Sequence, residues 1–401
     1  MNNSIIHQID KNKLCLGCGF CESICGKESV EMKLGIDGFF HPEVKKIDIE
    51  KEKVVKEICP GLNVINDLEF EENETIWGKI EKLYSGYSYD SEVRTKGSSG
   101  GIVSAIAIHL LETKIVDSVL QVGGDANDYE RNTLNISKTK EDVLRCASSR
   151  YAPALIFNEI LHLLSDTNDV FCFIGKPCDI SALKNFLNKY PQFKNRFKLT
   201  VSIICAGMPS FSGTKAIIDE FKAELPVKNL IYRGNGWPGY FSFIDKKGTA
   251  FRKTYNDSWG KTLNRYLNFR CKICPDGIGL QADIAVGDAW DTKDGYPDFT
   301  EKEGHSLIIV RTQQGINAIN DALNDKQIFV ENLALEKVGQ MQPYQYARRT
   351  RVGARLLAFY LVNFRVMVNF DKLRIFSNMK LVPKKTLANE FLGTFKRLVN
   401  R

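Results

Sequence analysis

The sequence predicts an α/β protein, in which a mixed sheet is flanked by helices, preceded by a small N-terminal α+β module. Buried-strand patterns alternate with helical patterns between about residues 83 and 335, which is typical of a sheet with several parallel strands. Residues 1–75 instead contain clustered cysteines and short turns. The length of 401 residues and a hydrophobic content of 43% support two or three packed units. We expect boundaries that give segments 1–77, 78–165, 166–340 and 341–401.

Residues 15–25 carry the strongest chemical signal. They read Cys-Leu-Gly-Cys-Gly-Phe-Cys-Glu-Ser-Ile-Cys, with Cys15, Cys18, Cys21 and Cys25 at the spacing of a bacterial iron–sulfur run. A tight loop lets several thiolates converge on one cluster, and thiolates suit iron better than calcium or magnesium. A zinc knuckle and a disulfide framework are the weaker alternatives. The N-terminal segment is therefore predicted to be a ferredoxin-like α+β iron–sulfur module.

The identity of the fourth ligand stays open at this point. In two-cluster ferredoxins the last cysteine of such a run binds the other cluster and is usually followed by proline. Here Cys25 precedes Gly26, whereas Cys59 precedes Pro60. We favour a module that has lost one of the two clusters and uses Cys59 as the fourth ligand of the other. Cys25 then binds no cluster. The alternative uses Cys25 and makes Cys59 structural.

Composition and charge limit the function classes. Eleven cysteines without an N-terminal signal peptide indicate a reducing, cytoplasmic compartment rather than a secreted disulfide scaffold. The net charge of +7 is uneven, because residues 1–92 carry −7 and residues 341–401 carry +11. No repeat or nucleic-acid motif accompanies this asymmetry, so we expect no nucleic-acid partner. The five histidines show no metal-ligand spacing.

A Gly/Ser loop follows the first predicted strand of the sheet, residues 83–89. It reads Arg-Thr-Lys-Gly-Ser-Ser-Gly-Gly over residues 94–101 and leads into a buried helix predicted over 102–111. Free N–H groups and the helix dipole make such a loop a candidate anion site, with Ser98 and Ser99 as additional donors. A plain helix N-cap is an equally good explanation. A second polar loop, residues 148–153, also precedes a helix.

Two further cysteines directly follow predicted buried strands. Strands are predicted over 115–122, 133–137, 170–175 and 199–204, and Cys178 and Cys205 come after the last two. Loops at the carboxyl ends of parallel strands are where open α/β sheets bind ligands. Together with the C-x2-C pair Cys271 and Cys274, they suggest a second four-thiolate site. The alternative is that Cys178 and Cys205 are ordinary buried side chains, as we expect for Cys146 and Cys172.

The basic tail has two interpretations. Residues 356–370 are apolar but too short and too interrupted to span a membrane. Their basic flanks resemble those of an interfacial membrane helix, which would give a membrane-associated protein. A C-terminal helix docked on the body is the slightly favoured alternative. The flanking cations are Arg348, Arg349, Arg351, Arg355, Lys372, Arg374, Lys380, Lys384 and Lys385.

Several motifs, in their order along the chain, resemble the coenzyme F420 hydrogenase/dehydrogenase beta-subunit family, which includes 7-hydroxymethyl chlorophyll a reductase. The resemblance covers about residues 10–335 and is specific as a combination. The motifs are Lys96-Gly-Ser-Ser-Gly-Gly101, Gly175-Lys-Pro-Cys178-Asp-Ile, Cys205-Ala-Gly-Met-Pro-Ser210, Arg233 to Trp237, Cys271-x2-Cys274 and Gly287-Asp-Ala-Trp290.

The resemblance implies an iron–sulfur flavoprotein oxidoreductase that holds one or two 4Fe–4S clusters and FAD. It would pass electrons between the clusters and a deazaflavin or another two-electron small-molecule substrate, with ferredoxin or another redox protein as partner. The implied second-cluster ligands are Cys178, Cys205, Cys271 and Cys274. The implied flavin or substrate residues are Lys96, Ser98, Ser99, Gly100, Gly101, Arg150 and Tyr151.

This sequence departs from the family pattern at several positions, which leaves the substrate open. Lys176 and Asp179 replace a frequent Thr and Gln, Ala206 replaces a frequent His, and Ala289 stands where an aromatic residue is usual. One alternative function is a non-catalytic electron-relay subunit of a larger dehydrogenase. The other is a membrane-surface redox enzyme in polysaccharide biosynthesis, with peripheral membrane contact through the basic tail.

Overall fold

A computed structural model of the protein describes residues 4–69, 76–124, 132–363 and 366–399. Most of the acidic loop predicted at residues 69–74 therefore lies outside the described residues. The α-helices of the described part are α1 (Ile5–Lys11), α2 (Phe20–Cys25), α3 (Ile49–Ile58), α4 (Ser91–Lys96), α5 (Ile102–Glu112), α6 (Lys140–Arg145), α7 (Ile160–Asp166), α8 (Pro177–Lys189), α9 (Phe211–Glu220), α10 (Phe269–Lys272), α11 (Gln313–Asn324), α12 (Leu335–Met341), α13 (Pro343–Val362), α14 (Ile375–Asn378) and α15 (Lys384–Val399).

The strands of the described residues form one large sheet and three small ones. The large sheet has nine strands in the order β16-β3-β15-β12-β8-β7-β4-β5-β6. The strands are β1 (Val30–Leu34), β2 (Phe40–Val44), β3 (Lys82–Ser88), β4 (Ser118–Gly124), β5 (Asn132–Ser137), β6 (Ala154–Leu155), β7 (Phe171–Gly175), β8 (Phe197–Ile203), β9 (Lys228–Ile231), β10 (Tyr240–Ile244), β11 (Ala250–Thr254), β12 (Ile284–Asp288), β13 (Thr292–Lys293), β14 (Tyr296–Pro297), β15 (Ser306–Val310) and β16 (Ile328–Asn332).

Strand direction decides which loops meet. Strands β4, β7, β8 and β12 are mutually parallel, in that order across the sheet. β15 runs antiparallel to both β12 and β3, so β3 points the same way as β12. The loops after β3, β4, β7, β8 and β12 therefore open at one edge, which we call the carboxyl edge. The predicted mixed sheet flanked by helices is confirmed, and strands from segments 78–165 and 166–340 both belong to it.

The N-terminal elements pack against the side of this sheet through aromatic contacts. The ring of Phe20 in α2 stacks on Phe157 at 4.1 Å between centroids and on Phe186 of α8 at 5.2 Å. Strands β1 and β2 pair as an antiparallel hairpin. Glu52 of α3 is buried and caps the start of α1, accepting a hydrogen bond from the Ile5 N–H at 3.0 Å. The cysteine loop is thus held between α1, α3 and the hairpin.

His41 joins the hairpin to α1 through two carboxylates. Its Nδ1 lies 2.6 Å from Asp10 Oδ1, and its Nε2 lies 3.0 Å from Asp37 Oδ1. The hydrogen bond to Asp10, supported by Asp37, raises the pKa of His41 to about 9. A raised pKa in the folded state stabilises the protein below the ordinary histidine pKa, and the stabilisation is lost as pH rises through 9.

We therefore expect His41→Ala to destabilise the protein most at pH 6, and hardly at all at pH 10. The half-exposed pair is screened by solvent, so the effect stays below about 1 kcal/mol. Chemical unfolding of the wild type and the variant at pH 6, 8 and 10 measures it. A difference between the two proteins that grows toward pH 10 would contradict this assignment.

Helix α13 of the basic tail is docked on the body. Val352, Leu356 and Phe359 are buried in the core beside the sheet. Arg349 is fully buried and donates to the carbonyl oxygens of Ile76, Pro275 and Leu373.

The predicted membrane-facing flank loses four of its cations to contacts within the protein. Arg348 donates to Ala206 O, and Arg351 and Arg355 contact Glu390 of α15. With Arg349, these arginines bind the protein rather than a surface beyond it. The other five predicted flank residues are exposed. No helix in the described part of the chain combines the length and apolar character needed to cross a membrane.

Candidate functional site

Four cysteines of the N-terminal segment line one cavity. They are Cys15, Cys18 and Cys21 from the loop before and at the start of α2, and Cys59, which follows α3. The rest of the wall is apolar and includes Phe20 and Met32. Burial raises the pKa of the Cys18 thiol to about 12 and raises those of Cys15, Cys21 and Cys59. Buried thiols of this kind stay protonated unless a metal displaces the proton.

Cys25 lies apart from this wall. It ends α2, is 1% exposed, and packs in the apolar cluster that contains Ile24 and Val30. Its carbonyl oxygen accepts a hydrogen bond from Lys51 at 3.1 Å. Of the two alternatives for the fourth ligand, the structure brings Cys59 rather than Cys25 to the other three.

A second cavity is lined by the remaining candidate ligands. Cys178 opens α8 after β7, Cys205 follows β8, and Cys271 and Cys274 lie at the end of α10. Burial raises the pKa of Cys205 to about 12 and raises those of Cys178 and Cys271. The Met208 N–H points at Cys271 Sγ, 3.4 Å away. The parallel neighbours β7 and β8 bring their loops to the same place, and the C-x2-C turn closes it.

The donor chemistry of both sets fits an iron–sulfur cluster. Such clusters are held by cysteine thiolates, usually four of them. Each cavity offers four thiols, with no competing oxygen ligand among the described residues of the first. Among the described residues, no three Cys, His, Asp or Glu side chains are close enough to hold a single metal ion. Both quartets therefore fit an iron–sulfur cluster.

The two cavities are adjacent. Leu16 lines both of them. Arg270 lines the second cavity, and its guanidinium donates to the carbonyl oxygens of Gly61 at 3.0 Å and Pro60 at 2.9 Å, beside Cys59. Asn268 donates to Cys15 O at 3.1 Å. Leu16 and Arg270 thus contact the surroundings of both sets of thiols.

The Gly/Ser loop lies at the carboxyl edge, next to the end of β12. Ser99 Oγ donates to His305 O at 2.8 Å and to Gly287 O at 3.2 Å. Ser98 Oγ accepts a hydrogen bond from the Ser149 N–H, which joins the loop to the second polar loop. Lys96 instead pairs with Glu92 on the surface of α4. Both serine hydroxyls are therefore engaged with the protein, and the loop presents backbone N–H groups at the start of α5.

Gly100 is required by close packing. A Cβ there would lie 2.4 Å from Gly86 O and 2.8 Å from the Ser306 N–H nitrogen, both of them backbone atoms of neighbouring strands. Gly101 adopts φ +78° at the N-cap of α5. The two glycines thus serve the path of the loop rather than direct access to a ligand.

We expect Gly100→Ala to destabilise the protein by about 1–3 kcal/mol, the usual cost of overpacking. Gly339→Ala is the matched control, because no described atom lies within 4 Å of its Cβ and the site is helical. Thermal unfolding of both variants measures the difference. Equal melting temperatures for the two variants would show that the loop can move away from β3.

Arg150 and Tyr151 lie on the second polar loop near the end of β4. Arg150 Nε is buried without a hydrogen-bond partner among the described residues, and burial lowers the pKa of its guanidinium. A Cβ on Gly124 would lie 3.0 Å from Arg150 Nη1, so the arginine crosses the carboxyl end of that strand. Tyr151 packs against Trp259, with ring centroids 4.6 Å apart and ring planes tilted by 41°. A guanidinium with a buried, unpartnered Nε fits an anionic ligand.

A buried ion pair joins two of the sequence motifs and was not predicted as a site. Arg233 donates to Asp288 through Nη1 at 2.8 Å and Nη2 at 2.6 Å, and its Nε donates to Pro238 O at 2.7 Å. Trp237 also donates to Asp288, at 2.7 Å, and stacks on Trp290. The signal was present in the sequence, because these residues belong to the Arg233–Trp237 and Gly287–Trp290 motifs.

Family models match most of the chain. The model of the N-terminal part of the coenzyme F420 hydrogenase/dehydrogenase beta subunit matches residues 83–161, and the model of its C-terminal part matches residues 169–336. Together they cover more than half of the sequence. Both cysteines after β7 and β8 and the C-x2-C pair lie inside the second match.

Individual relatives agree with this. The chain is 27% identical over 273 residues to the coenzyme F420 hydrogenase subunit beta of Methanococcus voltae, covering 66% of this chain and 88% of the relative. It is 23% identical over 367 residues to the coenzyme F420-dependent sulfite reductase of Methanocaldococcus jannaschii, covering 88% of this chain. That match includes 53% of the relative, so the chain spans about half of its length.

A solved structure supports the fold. One chain of the F420-reducing NiFe hydrogenase complex from Methanosarcina barkeri matches with a TM-score of 0.56 and 17% identity, over 76% of this chain and 99% of that chain. At this identity the likeness shows the fold alone. The two family models and the named relatives establish that the chain is an oxidoreductase that belongs to the coenzyme F420 hydrogenase/dehydrogenase beta-subunit family.

Proposed function

We propose that the protein is an iron–sulfur flavoprotein oxidoreductase that passes electrons between two 4Fe–4S clusters and a flavin-bound two-electron substrate. The observation that carries this proposal is the pair of adjacent cavities, each lined by four cysteines and sharing Leu16. Names of relatives that include coenzyme F420 make a deazaflavin the first substrate to test.

Each quartet would hold one cluster, which supplies one-electron transfer. The first comprises Cys15, Cys18, Cys21 and Cys59, in segment 1–77. The second comprises Cys178, Cys205, Cys271 and Cys274, in segment 166–340. Backbone N–H groups near the sulfurs, such as that of Gly17 at 3.4 Å from Cys15 Sγ, would stabilise the reduced state.

The carboxyl edge would hold the flavin, which supplies exchange between two-electron and one-electron chemistry. Arg150 would contact an anionic group of the cofactor or substrate with its unsatisfied Nε, and Tyr151 would pack against an apolar or aromatic part. The N–H groups of Gly101 and of the start of α5 would add donors, whereas the Gly100 N–H already donates to Ser306 Oγ at 3.0 Å and would hold the loop. Ser98 and Ser99 would hold the loop in place through the carbonyl oxygens they already contact.

The composition of anaerobically purified protein tests this proposal. About eight iron, eight acid-labile sulfides and one flavin per chain are expected for two 4Fe–4S clusters and one flavin. Arg150→Met should retain the iron and lose most of the flavin. About four iron without flavin would reduce the protein to a one-cluster carrier and return the Gly/Ser loop to a helix cap.

A second candidate is an electron-relay subunit without its own substrate. Relatives named as subunits of F420-dependent hydrogenase and formate dehydrogenase favour it. Co-purification with a larger catalytic subunit from the native source would support a relay. Reduction of a deazaflavin or another small molecule by the isolated chain would exclude it.

A further inference from the structure

The two cysteine cavities differ in charge. Three cations line the second cavity, Lys176, Arg270 and Arg348, with Asp276 as the one acid among the described lining residues. In the first cavity, by contrast, the described lining residues carry no charge besides the thiols. Arg270 is fully buried, and its Nη1 has no hydrogen-bond partner within the described part of the chain. The second site therefore lies in a more positive environment than the first.

Two of these cations belong to the second site. Arg348 reaches it from α13, donating to Ala206 O at 2.7 Å between Cys205 and the rest of the loop. Lys176 precedes Cys178 by two residues, but its ion pair with Asp179 at 2.7 Å offsets its charge, since Asp179 Oδ1 also lies 3.9 Å from Cys178 Sγ. Arg270 lies between the sites, with its guanidinium on the carbonyl oxygens next to Cys59.

Backbone dipoles act at both sites but do not reverse the difference. N–H groups of Gly17, Phe20, Gly61 and Leu62 approach sulfurs of the first site, and those of Gly207 and Met208 approach sulfurs of the second. Each N–H group contributes only a partial charge, whereas Arg348 contributes a full one. The full charge of Arg348 outweighs the additional N–H groups of the first site.

The two quartets lie in different parts of the fold. The first lies in the N-terminal module, and the second combines Cys178 and Cys205, which follow β7 and β8, with Cys271 and Cys274 at the end of α10. The end of β12 contacts the Gly/Ser loop through Ser99 and Gly287 at 3.2 Å. The second quartet and the candidate flavin loop thus both lie near the carboxyl edge of the sheet.

We infer that Arg348 sets the second site at a higher reduction potential than the first, so that an electron held by the first site moves to the second. The inference rests on the proposed two clusters. A nearby cation stabilises the reduced state of a cluster, which carries one more negative charge. In the transfer, the first site loses one electron and the second gains it, and no bond or proton changes place.

Reductive titration of the anaerobically purified full chain tests the order. The Cys59→Ala protein retains the second site and gives its midpoint potential, and Cys205→Ala does the same for the first. We expect the midpoint potential of the second site to lie at least about 59 mV above that of the first, which corresponds to a tenfold preference of the electron for the second site. Iron per chain is measured in each protein.

Charge variants test the cause. Arg348→Met should lower the potential of the second site alone, and Arg270→Met should lower both. Arg351→Met removes a cation from the same helix but faces Glu390, and it should change neither. If Arg270→Met does not fold, the comparison of Arg348→Met with Arg351→Met still tests whether the charge near the second site sets its potential.

The outcomes separate this inference from the proposed function. Eight iron per chain with equal potentials, or with the first site higher, would overturn the inference and leave the two clusters in place. The same holds if Arg348→Met does not move the second site. If neither Cys59→Ala nor Cys205→Ala loses iron, the proposed clusters and the inference are both wrong.

Discussion

Replacing Cys59 by alanine is expected to halve the iron content of the purified protein, from about eight to about four atoms per chain. Cys59 lines the first cavity with Cys15, Cys18 and Cys21. A cluster that loses one of four thiolates exposes an iron to solvent and is released on purification. Iron and acid-labile sulfide should fall in parallel, and the visible absorbance should drop by about half.

Cys25→Ala is the matched control for this prediction. Cys25 lies only four residues from Cys21 but packs among apolar side chains. Its replacement should cost about 1 kcal/mol of stability through a small cavity and leave all the iron in place. The reverse pattern, with iron lost from Cys25→Ala and kept in Cys59→Ala, would identify Cys25 as the fourth ligand instead of Cys59.

Much of the sheet was predictable because its central strands are buried on both faces. Residues Phe171–Gly175 are all buried, and such runs stand out against the amphipathic helices between them. The strand β15 and the pairing of β3 with it were not predicted, because pairing between segments more than 200 residues apart leaves no local signal. The sequence also predicted that the loops with Cys178 and Cys205 lie at one edge of the sheet, because each loop follows a parallel strand.

The cations around the second quartet could not be placed from the sequence. Arg348 and Arg349 were grouped with a membrane-facing flank, because their spacing shows only that they lie on a helix. Whether a long side chain points outward depends on what packs beside it, and here the carbonyl oxygens of Ala206 and Pro275 bind both guanidinium groups inside the protein. A buried arginine satisfied by backbone carbonyls has no partner residue type that a sequence pattern could reveal.

Asp288→Asn is expected to destabilise the protein by about 3–5 kcal/mol, because removing the carboxylate charge leaves a guanidinium buried without compensation. Arg233 is 3% exposed, and Asp288 makes two short hydrogen bonds to it. The loss of one partner costs far more than the intact pair contributes. The Arg233 carbonyl oxygen also accepts hydrogen bonds from Ser98 and Ser148, so both polar loops should loosen with it.

Asp291→Asn provides the comparison that makes this prediction specific to burial. Asp291 carries the same charge three residues further along, but its ion pair with Lys302 at 2.9 Å is exposed to solvent. Such pairs contribute less than about 1 kcal/mol, so unfolding of Asp291→Asn should match the wild type. Flavin content should fall in Asp288→Asn before iron content does, since the ion pair borders the Gly/Ser loop while the cysteines lie on other loops. Unfolding of Asp288→Asn within about 0.5 kcal/mol of the wild type, with flavin retained, would show that Arg233 can reach water and that the motif pair does not hold the loops.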